Sequence, residues 1–80
     1  ASLDQSGIGA TLTLTETHIK ISQFQCFGSR DRCHPRSAIS ADWTGALNSG
    51  TLKLFLNGTL VEEVFGGQQL REIYEALANG

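Results

Sequence analysis

The chain has 80 residues, enough for one small domain and too few for two. Hydrophobic residues make up 40% and charged residues 18%, a balance that argues for a globular core and against intrinsic disorder. The net charge of −2 disfavours general nucleic-acid binding, and no apolar stretch is long enough to span a membrane.

Residues 1–7 show neither the charged start nor the apolar stretch of a signal peptide. They are expected to be a flexible N-terminus, leaving residues 8–80 as one domain. From Ile8 to Thr15, Ile8, Ala10, Leu12 and Leu14 alternate with threonines, the period-2 pattern of a half-buried strand. A turn at Glu16-Thr17 leads to a second strand, with Ile19 and Ile21 inward, extending as far as Cys26. Phe27-Gly28-Ser29-Arg30 reads as a turn into a short strand from Asp31 to His34. Pro35 ends that strand or confines it to an edge, because proline has no N–H to donate.

Ala38 to Thr44 reads as a strand with Ile39, Ala41 and Trp43 on its inner face, Trp43 serving as a core anchor. Gly45 to Gly50 reads as loop. The strands Thr51 to Leu56 and Thr59 to Phe65 flank Asn57-Gly58, a pair suited to the two positive φ values of a type I′ turn. A regular register then pairs Leu54 with Val61 and Lys53 with Glu62. It puts Leu52, Leu54, Leu56, Val61 and Phe65 in the core, with Phe55, Leu60 and Val64 on the opposite face. That second apolar set is either covered by helix and loops or forms an oligomer or partner interface.

After Gly66-Gly67 the period changes. Leu70, Ile73, Tyr74 and Leu77 form one stripe of an amphipathic helix over residues 68–79, with Arg71 and Glu75 paired at i,i+4 and Gly80 as its cap. The fold class expected is α+β, mostly antiparallel β: five to six strands in a small, partly open barrel capped by one C-terminal helix.

Cys26 and Cys33 fall opposite each other if the hairpin turn centres on Ser29-Arg30, so a disulfide is geometrically possible; two free thiols are the alternative. Cys26, Cys33, His34 and His18 are metal-ligand types, but Cys-x6-Cys-His matches no standard zinc framework. Adjacent Cys33 and His34 also point to opposite faces, as do Glu62 and Glu63. No metal, cofactor or catalysis is expected. Asn57-Gly-Thr59 is formally a glycosylation sequon that turn chemistry already explains. Arg30, Arg32 and Arg36 are half of the six basic residues and lie beside His34. As a basic loop they suit a phosphate, an anionic lipid head group or an acidic partner; as a solvated loop they are partly neutralised by Asp31.

Gly9-Ala-Thr-Leu-Thr-Leu-Thr15 leading into His18-Ile-Lys-Ile21 resembles the opening hairpin of the small bacterial pleckstrin-homology-like domains. Pro35-Arg-Ser-Ala-Ile-Ser40 resembles their lead-in to a central strand. Gly50-Thr-Leu-Lys, the Asn-Gly hairpin, Glu62-Glu-Val-Phe65 and the closing helix complete the order over residues 8 to 79. The resemblance implies a PH-like barrel and a tendency to assemble. Leu54-Phe-Leu-Asn-Gly58, Gly66 and the helix are also similar to the end of a thioredoxin, but Cys-x-x-Cys is missing and the first half reads as all-β. The function expected is a non-enzymatic interaction or assembly module, with a protein partner or a second copy. The alternatives are binding of an anionic lipid or phosphate through Arg30, Arg32, His34 and Arg36, and a small secreted inhibitor or toxin. A cytoplasmic location is expected, or a secreted one if Cys26 and Cys33 are bridged and a leader has been removed.

Overall fold

Period-2 patterning builds seven antiparallel strands, one more than the upper expectation, in a computed structural model that describes residues 2–79. Strands β1 (Leu3–Gly7), β2 (Ala10–Leu14), β3 (His18–Gln25) and β4 (Gly28–Pro35) form one sheet in that order. A 3₁₀ turn at Arg36–Ala38 leads to β5 (Ile39–Ala46), β6 (Ser49–Leu56) and β7 (Thr59–Gly67), which form the second. Helix α1 (Gln68–Asn79) follows, over the range its stripe predicts. The two sheets are not closed into a barrel. The Gly80 cap lies outside the described residues.

The core sits between the layers. Leu12, Ile19 and Ile21 of the first sheet, Leu52 and Leu54 of the second, and Leu70 and Ile73 of α1 are fully buried. Each such side chain contributes about 1.5–3 kcal/mol relative to an exposed one, more than any single turn or cap. Helix position is set by two glycines. A Cβ on Gly66 would meet Leu70 Cδ1 at 2.5 Å, and one on Gly7 would meet Phe65 O at 2.8 Å. Bare backbone at both positions lets Leu70 seat between the sheets.

Several expectations are corrected. The segment read as a flexible N-terminus supplies β1, which pairs with β2 from Leu3↔Leu14 to Gly7↔Ala10. The strand expected from Ile8 therefore starts at Ala10, and Ile8 is an exposed turn residue before Gly9, whose φ of +75° the turn requires. The loop expected over Gly45 to Gly50 is a tight hairpin joining Ala46 to Ser49. β4 runs from Gly28 and its turn is Cys26-Phe27, three positions earlier than expected. Cys33 consequently pairs with Lys20, not with Cys26. Extended strand separates the two sulfurs by roughly 20 Å, far beyond bridging distance, and both thiols are free. As the proline indicated, β4 ends at Pro35 and is an edge strand.

The Asn57-Gly58 turn forms with φ of +52° and +87°, and its first pairs, Leu56↔Thr59 and Phe55↔Leu60, are as expected. The register then shifts: Leu54 faces Glu62 instead of Val61, and Lys53 faces Glu63 instead of Glu62. One extra residue on β7 reverses its in–out parity. Glu62 and Val64 turn into the core, while Phe65, expected inside, is 55% exposed.

Candidate functional site

Two residues apart on a strand means the same face, so Arg30, Arg32 and His34 share one side of β4. Their partners on β3 are Gln23, Ile21 and Ile19, the last two fully buried, so this is the inner side. An arginine facing inward, as Arg32 does, demands an acid. The bulge in β7 supplies Glu62, whose side chain is 3% exposed. Arg32 grips it with two donors, Nε to Oε2 and Nη2 to Oε1, both at 2.6 Å. His34 Nε2 lies 3.0 Å from the same Oε2, and Arg32 Nη2 also donates to Gln23 Oε1 at 3.0 Å. Burial opposes ionisation of Glu62, but the hydrogen bonds from Arg32 and His34 outweigh it and hold the carboxyl below its ordinary range. The triad links β4 to β7 across sheets that share no ladder there.

This arrangement redistributes the expected basic loop. Arg32 and His34 are committed to Glu62. Arg36 reaches the other way, donating Nη1 to Thr15 O at 2.8 Å and Nη2 to Ala76 O at 3.2 Å, which ties the β2–β3 turn to the last turn of α1. Asp31 lies on the outer face, where it accepts from Ser22 Oγ at 2.6 Å with Lys20 at 3.5 Å. Arg30 is exposed. The three arginines thus serve three different surroundings instead of one anion site. Sequence reasoning saw their charge but missed Glu62 as a partner, although Arg32, sharing the parity of Ile19 and Ile21 across the β3–β4 pair, signals a buried acid elsewhere.

Beside the triad lies a cavity of about 350 Å³, with Ala10, Ile21 and Val64 as apolar walls and Gln23, Arg32 and Glu62 as polar ones. A wider groove of about 820 Å³ runs between the β5–β6 turn and α1, where Arg71 bonds Glu75 at 3.3 Å. The groove holds only exposed or half-exposed groups, so the buried chemistry belongs to the smaller cavity. Among the described residues, no group of three or more His, Cys, Asp or Glu stands close enough to hold a metal ion. No helix among them is long and apolar enough to cross a membrane.

The outer face of β5–β7 is the second candidate. Register and parity arrange it in three rows: Ser40, Phe55 and Leu60; Asp42, Lys53 and Glu63; Thr44, Thr51 and Phe65. Of the expected interface set, Phe55 is half-buried and Leu60 is 46% exposed on this face, while Val64 is in the core with 6% exposure. The parity reversal gives its place to Phe65. Trp43 packs at the core's edge, its Nε1 donating to Ala46 O at 2.8 Å. Compared with protein-family models, curated proteins and solved structures, the chain matches none.

Proposed function

We propose that this chain is a non-enzymatic interaction module of the PH-like kind that associates with a second copy of itself through the outer face of β5–β7. The classification rests on the sequence motifs around Gly9–Ile21 and Pro35–Ser40; seven antiparallel strands with one closing helix are compatible with it. The observation that carries the contact reading is the exposure of Phe65 and Leu60 at opposite ends of one face whose middle row is charged. Apolar ends on a mixed-charge row suit a self-complementary contact. A twofold axis running between β6 and β7 would set Lys53 of each copy over Glu63 of the other, and Phe55 over Leu60. Sedimentation velocity tests this reading: the sedimentation coefficient rises with concentration, and Leu60→Ser with Phe65→Ser abolishes the rise. A concentration-independent monomer would reject it.

A second reading, binding of an anionic surface, retains Arg30 alone, since Arg32, His34 and Arg36 are engaged within the fold. The secreted inhibitor reading drew support from a Cys26–Cys33 bridge and a leader, and the β3–β4 register withdraws the first of these by setting the two thiols apart.

A further inference from the structure

The β1–β2 and β3–β4 turns lie side by side, joined by the Phe24 N–H donating to Gly9 O at 2.9 Å. β2 stops pairing at Ala10↔Gln23, but β3 and β4 continue through Phe24↔Ser29 and Gln25↔Gly28. Gly9 of the neighbouring turn reaches the level of Phe24, and the hairpin projects past it by two residues, about 7 Å. Its apolar groups are not folded back: Phe27 is 102% exposed, Phe24 67%, and Ile8 on the adjacent turn 78%. The chain has no Asp or Glu between Gln5 and Thr15 or between Thr17 and Arg30. Arg30, opposite Gln23, is the charge nearest the tip, whereas Glu72 and Glu75 lie on α1.

We infer that this tip is a lipid-interface anchor, with Phe24, Phe27 and Ile8 entering the boundary between head groups and acyl chains and Arg30 at head-group level. The inference deepens the second reading above and replaces head-group capture by insertion as the source of affinity. A projecting wedge fits a bilayer interface, which closes around any convex shape. A folded partner would need a matching groove. A projection of about 7 Å falls within the roughly 5–10 Å to which interfacial apolar groups sink, and aromatic rings favour that layer. The β3–β4 hairpin carries no acid from His18 to Arg30, in a chain of net charge −2, which suits an anionic leaflet; Glu63 of β7 shares a cavity with Ile8 behind the tip.

The two free cysteines supply the test, since Cys26 is in the turn and Cys33 is on β4 opposite Lys20. An environment-sensitive thiol fluorophore is placed on Cys26 in a Cys33→Ser variant and on Cys33 in a Cys26→Ser variant. Each is mixed with vesicles of pure phosphatidylcholine, and of equal parts phosphatidylcholine and phosphatidylserine. The Cys26 label shifts to the blue with the mixed vesicles and the Cys33 label does not. Replacing Phe24 and Phe27 by Ser lowers partitioning about tenfold per phenylalanine, and Arg30→Ala lowers it only where phosphatidylserine is present. No shift with either vesicle overturns the insertion, and the anionic-surface reading falls with it only if the protein also fails to co-sediment with the mixed vesicles. Binding that survives loss of both phenylalanines and disappears with Arg30→Ala overturns insertion alone. A Cys26 shift produced by raising protein concentration without lipid assigns the tip to a protein contact and likewise overturns it.

Discussion

Glu62 is a carboxylate taken out of water and held there by two donors from Arg32 and one contact from His34. Breaking a buried pair from one side costs more than removing it whole, because the orphaned charge keeps its desolvation penalty. Arg32→Met is expected to destabilise the domain by about 2–4 kcal/mol, somewhat below the value for a fully enclosed pair because the neighbouring cavity admits water. Arg32→Leu combined with Glu62→Leu costs less than Arg32→Met alone; urea denaturation of the set measures both. The pH dependence has a definite sign. The folded pKa of Glu62 lies below its unfolded value, so its stabilisation is present above the ordinary carboxylate range and is lost as pH falls through the depressed folded value. Urea midpoints followed from neutral pH into acid fall more steeply for the wild type than for Glu62→Gln. Asp31 is also held below its ordinary range, by the Ser22 hydrogen bond foremost with Lys20 beside it. Its side chain is about half exposed to water, and its share of the slope is small.

Strand β7 shows how one residue redirects a whole element. Because side chains alternate with period 2, the single extra position between Phe55↔Leu60 and Leu54↔Glu62 carries Glu62 and Val64 inward and Phe65 outward. Nothing local in Val61-Glu62-Glu63-Val64 marks that insertion, since both parities place one valine and one glutamate on each face. The partner that decides it, Arg32, is thirty residues away. Where the signal was local, the sequence sufficed: the Leu70, Ile73, Tyr74, Leu77 stripe set the helix limits, and Asn57-Gly58 set its turn. β1 was missed because Leu3 is its one large apolar residue. The β3–β4 turn was misplaced because Cys26-Phe27 lacks turn chemistry, and its clue is Gly28 just beyond, at φ +116°. Packing of α1 against backbone gives a further prediction. Gly7→Ala drives a methyl toward Phe65 O and Leu70 and is expected to cost about 1–3 kcal/mol by thermal or urea unfolding. An alanine at Gly58 meets open space, and costs only the strain of its positive φ, about 1 kcal/mol.

At the scale of the whole molecule, two sheets that never join by a ladder are linked by the Glu62 triad, while Arg36, spanning Thr15 and Ala76, ties the first sheet to α1. That construction turns the apolar faces of both sheets inward and leaves the outer face of β5–β7 with Phe65, Leu60 and a charged middle row. The same edge logic explains β4: inward cations and a terminal proline make it a poor template for strand addition. Association through the β4 edge is therefore not expected. The paired charges of that face allow a direct test by sedimentation equilibrium. Lys53→Glu and Glu63→Lys, each alone, set like charges over one another across the proposed axis, and each is expected to remain monomeric. Mixed in equal amounts they regain complementary rows, and the account predicts a heterodimer. Variants that associate as the wild type does, or a mixture that stays monomeric, would contradict it.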